Sequence, residues 1–363
     1  MKKDSLEILC FIDSLGSGGA QRQIIGLTDL LNKKGLMTGI AWYHDDCFYQ
    51  DFLKSNKISL YKLSAKSKLK KLISFYQLIK RIKPKCVIAY LDGPTIIACL
   101  THILTPCKFK LIVSERNTTQ TLTFREHVKF TLYKSSDWII PNSYTQSKFL
   151  CDNFKSLQSK VKTITNFVNT SLFMPSATKR AENTNDTLNL LVVGRISEQK
   201  NVITFLIAVK EVVDSGYNIC VNWYGDSSSD EYKNECENLR TKLGLTRYFY
   251  FHNAEKNIVN IYQQADVFCL PSIYEGFPNV ICEAMSCGLP ILCSDICDNK
   301  ILVTDNENGF LFNPATPQNI ADTIIKFIKT PYDYKTSMGK LSREKAIKIF
   351  SQENFVQKYI ALL

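Results

Sequence analysis

Short apolar runs alternate with longer helical patterns along almost the whole chain, and this rhythm constrains the fold more than any other feature. Runs at 7–12, 38–43, 86–90, 110–113 and 138–140 read as strands covered on both faces, with helices between them. Around Phe173-Met174-Pro175 the rhythm breaks, and residues 176–186 are polar, rich in Asn, Thr and Ala, with no apolar period. A second series follows, with strands at 188–193, 219–224, 248–251, 267–270 and 290–293 and helices at 203–215, 231–243, 258–264 and 279–287. The pattern predicts an α/β chain of two doubly wound parallel-sheet domains, at 1–175 and 188–350. Residues 176–187 form the linker and 351–363 a closing helix. Ligands of such sheets sit at the carboxyl ends of the strands, so two of them facing across a cleft would hold a substrate there.

Composition removes several classes. A chain of 363 residues, 45% hydrophobic and 22% charged, is globular rather than disordered or fibrous. No run approaches the roughly 18 apolar residues that cross a bilayer, and Met1-Lys2-Lys3-Asp4-Ser5 leads straight into a strand-like run, so the expectation is a cytoplasmic protein. The 13 cysteines are odd in number, lie mostly in apolar runs (Cys10, Cys86, Cys269, Cys293) and form no Cys-x-x-Cys pair. They read as buried thiols, neither a disulfide framework nor a zinc site.

The net charge of +11 has one source. Residues 52–91 hold eleven Lys/Arg and no acid, which leaves 34 basic and 34 acidic residues elsewhere. Within this segment Leu69, Leu72, Ile73, Tyr76, Ile79 and Ile82 recur at helical spacing among Lys68, Lys70, Lys71, Lys80 and Arg81, which predicts a basic amphipathic helix over 66–85. A solvated face is the plain reading. An anionic membrane surface is the functional one, preferred over nucleic acid because no nucleic-acid motif accompanies the charge.

Three loops at expected strand ends concentrate the chemistry. In Ser14-Leu15-Gly16-Ser17-Gly18-Gly19-Ala20-Gln21, adjacent glycines let backbone N–H groups approach an anion at the positive end of the following helix. The plainer alternative is a tight turn. A dinucleotide fingerprint with Asp45 or Asp46 on the ribose competes, but Gln21 stands where its third glycine belongs, so a phosphate clamp is preferred.

The second loop, Gly194-Arg195-Ile196-Ser197-Glu198-Gln199-Lys200-Asn201, sends two cations from one strand end. Arg195 as a planar fork and Lys200 as a point charge suit a diphosphate, with surface salt bridges as the alternative. The third runs from Pro271 to Pro290. Pro278 suits the first turn of a helix that Gly288 closes, and Gly276 and Phe277 present backbone N–H groups just before it. Glu275 and Glu283 are eight residues apart, about two helical turns, so they reach different parts of one elongated ligand, a sugar ring and a ribose. The alternative is that both acids merely complement the helix. The histidines, His44, His102, His127 and His252, read as structural or exposed.

Glu275-Gly276-Phe277-Pro278-Asn279-Val280-Ile281-Cys282-Glu283-Ala284-Met285-Ser286-Cys287-Gly288-Leu289-Pro290, with Gly194-Arg195 and Lys200-Asn201, resembles the retaining glycosyltransferases of family 4, of bacterial surface-polysaccharide type. The likeness spans nearly the whole chain and is most specific over 190–315. It includes the Gly18-Gly19 loop, Asn166-Phe167-Val168-Asn169 and Asn308-Gly309-Phe310-Leu311-Phe312. It implies the GT-B fold, two Rossmann-like domains facing across a cleft, the first binding acceptor and the second the nucleotide-sugar donor. The C-terminal helix is implied to cross back onto the first.

By the same resemblance Glu275 contacts the donor sugar hydroxyls, Glu283 holds the ribose, and Arg195 and Lys200 neutralise the diphosphate leaving group. Gly276, Phe277, Pro278, Asn279 and Val280 complete the donor contacts, Gly18 and Gly19 close from the first domain, and His252 and Asn253 form the base pocket. No metal and no cofactor are implied, the co-substrate being a nucleotide diphosphate sugar, a UDP-sugar. Many members carry a histidine after the strand ending here at Val113, where this chain reads Ser114-Glu115-Arg116-Asn117. Asp92, Glu115 and Arg116 are assigned to the acceptor.

The expected function is transfer of a hexose or N-acetylhexosamine to a lipid-linked glycan in surface polysaccharide synthesis, on the inner face of the cytoplasmic membrane. A nucleotide-sugar epimerase and a non-catalytic subunit of the same fold are the alternatives.

Overall fold

A computed structural model describes residues 6–46, 48–64, 67–176, 187–227 and 229–363. The chain divides into two units, one of residues 6–166 with Gln352–Leu363 and one of Phe167–Ser351. The first holds strands β1 (Ile8–Phe11), β2 (Thr38–Trp42), β3 (Ser59–Lys62), β4 (Cys86–Tyr90), β5 (Lys110–Glu115) and β6 (Trp138–Pro141). They form a parallel sheet in the order β3-β2-β1-β4-β5-β6. The second unit holds β7 (Leu188–Val193), β8 (Ile219–Tyr224), β9 (Phe249–His252), β10 (Val267–Leu270), β11 (Ile291–Ser294) and β12 (Gly309–Phe312), in the parallel order β12-β11-β10-β7-β8-β9. Both sheets have one topology: the chain starts at the centre, winds to one edge, then returns and winds to the other. The reversal falls between β1 and β4 in one sheet and between β7 and β10 in the other. In doubly wound sheets ligands sit at the carboxyl ends of the strands beside such a reversal.

Alternation along the strands shows why both faces are covered. Leu190 and Val192 of β7 join a core with Trp223 and Phe249 on one side, while Leu191 and Val193 join Phe268 and Leu270 on the other. Two strands depart from the expectation for identifiable reasons. β3 is an edge strand whose Ser59, Leu60 and Lys62 are exposed, so it lacks an apolar run. β12 opens on Gly309, which reads as a turn residue, yet a Cβ there would stand 1.8 Å from the Ile291 carbonyl oxygen.

The division falls at residue 166, not 175. Val168 and Phe173 are buried in the second unit's core, and Arg343 Nη1 donates to the Phe173 carbonyl at 2.8 Å. The expected linker, 176–187, lies outside the described residues except for its two ends. The helix Gln352–Ile360 belongs to the first unit, where the Tyr359 and Tyr90 hydroxyls share a hydrogen bond of 2.8 Å. Among the described residues no helix is long and apolar enough to cross a membrane.

Candidate functional site

The loops after β7 and β10 are sewn together at the reversal of the second sheet. Ile273 N donates to Gln199 O at 2.9 Å, and Gln199 Nε2 to Tyr274 O at 3.0 Å. These bonds set Lys200 against Glu275: Lys200 Nζ forms an ion pair with Glu275 Oε1, and Ser272 Oγ donates to the same oxygen at 2.7 Å. The pair is largely shielded, with side-chain exposures of 13% and 9%. Arg195 opens the same loop, is exposed, and makes no hydrogen bond or ion pair among the described residues.

Glu283 lies on the helix Asn279–Ser286, which begins only after Pro278, so it stands about one turn into the helix rather than two turns from Glu275. Its carboxylate is 2% exposed and accepts from the Tyr262 hydroxyl at 3.0 Å. Phe277 turns its ring into the core, edge-on to Phe350 at 6.2 Å, so only its backbone is available to a ligand. Gly276, Asn279 and Val280 are half-buried around the helix start. His252 closes β9, its Nε2 sharing a bond of 2.9 Å with Asn222 Oδ1 and its ring stacked on Tyr224, and burial holds its pKa below the ordinary value. Asn253 beside it is exposed.

In the first unit Gly18 is the extended N-cap of the helix Gly19–Lys33, at the carboxyl end of β1. Asp45 pairs with Lys62 and so does not stand as an isolated ribose acceptor. Asp92 opens the helix Asp92–Leu104 after β4 and is 24% exposed. Two residues assigned to the acceptor are instead interior. The Glu115 side chain is 0% exposed and accepts from the Tyr133 hydroxyl at 3.0 Å and from Lys129 at 3.2 Å. The Arg116 guanidinium stacks on Tyr90 at 4.0 Å and donates to Asn166 Oδ1 at 2.7 Å and to the Tyr359 hydroxyl at 3.0 Å. It ties the closing helix to the sheet rather than facing a phosphate.

Sequence reasoning missed Ser272, Tyr262, Lys129 and Tyr133. Ser272 had a signal, standing at a strand end three residues before Glu275. The others sit in or beside helices, where an aromatic or a lone lysine reads as packing.

Residues 176–345 match the family model described as glycosyl transferases group 1. The chain is 32% identical over 175 residues to the UDP-Gal:alpha-D-GlcNAc-diphosphoundecaprenol alpha-1,3-galactosyltransferase of Escherichia coli, covering 46% of this chain and 43% of the relative. To the Campylobacter jejuni GalNAc-alpha-(1->4)-GalNAc-alpha-(1->3)-diNAcBac-PP-undecaprenol alpha-1,4-N-acetyl-D-galactosaminyltransferase it is 24% identical over 325 residues, 84% of each chain. The crystal structure of Anabaena HepE in complex with UDP and glucose superposes with a TM-score of 0.87 at 17% identity, over 98% of both chains. With the two six-stranded sheets, this likeness shows the two-domain, Rossmann-like GT-B fold.

Proposed function

We propose that this chain is a glycosyltransferase of family 4 type that moves a hexose or N-acetylhexosamine from a UDP-sugar to a hydroxyl of a lipid-linked glycan, with retention and without a metal, in surface polysaccharide synthesis. The observation that carries the reading is the Lys200–Glu275 pair at the reversal of the second sheet, in the loop that exposed Arg195 opens, with Glu283 about one turn into the helix that follows Glu275. The family match over 176–345 and relatives named for diphosphoundecaprenol substrates support it.

In a front-face displacement the bond from the anomeric carbon to the diphosphate breaks, its electron pair leaving with UDP. The acceptor oxygen bonds the same face of that carbon, and the acceptor proton passes to the departing diphosphate. Arg195 and Lys200 take up the developing charge, Glu275 orients the sugar hydroxyls and Glu283 accepts from the ribose. The N–H groups of Gly276 and Phe277, the helix start with Pro278, Asn279 and Val280, and the Gly18-Gly19 loop complete the donor contacts, with His252 and Asn253 at the base.

The same reading sets the chain on an anionic membrane surface. The helix Lys68–Ile82 starts at the Ser67 cap and buries Phe75, Leu78 and Ile79 while exposing Lys68, Lys70, Lys80 and Arg81 with Leu69 and Ile73. Cations toward headgroups and aliphatics toward the acyl boundary suit such a surface.

Incubation with a UDP-sugar panel and undecaprenyl-diphosphate-linked N-acetylglucosamine tests the reading. Acceptor-dependent UDP release with an α-linked product is expected. Donor conversion without acceptor would indicate an epimerase, and binding without turnover a non-catalytic subunit.

A further inference from the structure

A cavity of about 450 Å³ opens at the β3 edge of the first sheet, between that strand and the helix Lys68–Ile82. Ser74, Gln77, Leu78 and Arg81 stand at i, i+3, i+4 and i+7 and so share one face of the helix, while residues 60–64 supply the facing wall. Leu63 and Leu78 are buried in the first unit's core and form the floor. β3 ends the sheet order, so no further strand pairs with its outer side. The cavity lies two strands from the reversal between β1 and β4, and none of its lining residues belongs to the donor loops.

Its lining has an excess of hydrogen-bond donors and positive charge. Every lining residue comes from the segment 52–91, which holds eleven Lys/Arg and no acid. The side chains of Ser64, Ser74, Gln77 and Arg81 make no hydrogen bond or ion pair among the described residues. Lys62 is paired with Asp45, but both partners are exposed, so the pair is weak and yields to a stronger anion. The Arg81 guanidinium is a planar fork that suits two oxygens of one phosphate, and the hydroxyls, the amide and the Lys62 ammonium reach the others from different directions. That convergence fits a tetrahedral anion better than a planar carboxylate. The volume falls within the roughly 300–1,000 Å³ of small-molecule sites. It exceeds what a bare phosphate fills, which leaves the aliphatic floor to an organic substituent.

We propose that this cavity binds a phosphate ester, with Arg81 as its main anchor and Ser64, Ser74, Gln77 and Lys62 completing the oxygen contacts. The shared chemistry has two sources, the headgroup of an anionic phospholipid and a soluble phosphorylated metabolite. The site stands whether or not the chain transfers sugars.

Calorimetric titration of the full chain with glycerol 3-phosphate and with monomeric dihexanoyl phosphatidylglycerol tests it and separates the sources. Tighter binding of the lipid assigns the site to a membrane headgroup, and equal or tighter binding of glycerol 3-phosphate assigns it to a soluble ester. Arg81→Gln should weaken binding by about tenfold or more. Lys83→Gln removes the same charge two residues on, outside the cavity, and should stay within about twofold of wild type. Ser74→Leu fills the cavity without changing the charge and should also weaken binding about tenfold, with a melting curve to show that the chain remains folded. Absence of binding of both probes up to about 10 mM overturns the proposal. So do equal losses in Arg81→Gln and Lys83→Gln, the mark of diffuse electrostatic attraction, or wild-type affinity in folded Ser74→Leu. Titration with UDP reports the donor reading separately, so the two can fail independently.

Discussion

The Tyr262 hydroxyl donates to Glu283 Oε2 at 3.0 Å, and both residues are buried, at 0% and 2% exposure. A carboxylate so enclosed depends on its donors, because an unpaired buried charge is costly. Tyr262→Phe should lower stability by about 1.5–3 kcal/mol, the range for a hydrogen bond to a charged group. Thermal denaturation checks this, and UDP affinity should fall with it because the acid proposed to hold the ribose loses its orientation.

Arg195 and Lys200, proposed to take up charge on the leaving group, separate a catalytic effect from a structural one. Replacing either by alanine should lower turnover by about 10²–10³, as loss of one preorganised donor does. Lys200→Ala should also destabilise the fold by about 1.5–3 kcal/mol, because the nearly buried Glu275 loses its cation while keeping the Ser272 donor, whereas exposed Arg195 should be almost neutral. Initial rates with melting curves on both variants distinguish them, and undiminished turnover in Arg195→Ala would remove it from the leaving-group site.

Membrane attachment should depend on the helix Lys68–Ile82. Lys62 and Lys85 are paired with Asp45 and Glu7, so the unpaired surplus gathers on this helix. Neutralising Lys68, Lys70 and Lys71 to Gln should weaken binding to anionic liposomes by about 100-fold, at about 1 kcal/mol per charge. Sedimentation measures this, and unchanged binding would sink the membrane assignment.

Alkaline pH should unfold the chain steeply. Burial pushes the Cys10 and Cys99 thiols up to about 12 from an ordinary 9.0. A raised native pKa means that the folded state holds protons the unfolded chain releases. The stabilisation is therefore complete below pH 9 and is lost between 9 and 12, at about 1.4 kcal/mol per pH unit for each thiol. Denaturant midpoints across that range should fall. Below pH 9 these thiols should resist alkylation until the chain unfolds.

What the sequence made legible follows from where the chemistry sits. Arg195, Lys200 and Glu275 lie in loops that follow buried strands, so a strand pattern with charged residues at its end was enough to place them at the carboxyl end of the sheet. Arg116 misled for the opposite reason. A guanidinium after a strand suggests an anion, but only the fold reveals that Tyr90, Asn166 and Tyr359 surround it. Lys129 and Tyr133 carried no signal, because the distance from Asp92 and Glu115 is closed by packing between helices and not by spacing. β3 escaped because an edge strand needs no apolar run, and the boundary at 166 because residues 167–173 belong to a core formed by later helices.

The most direct measurement is a crystal structure of this chain with UDP bound. The account predicts the ribose hydroxyls on Glu283, the diphosphate on Arg195 and Lys200, and the distal phosphate pointing toward Glu275. A nucleotide seated away from the loops after β7 and β10, with Glu283 still enclosed by Tyr262 and untouched, would contradict it.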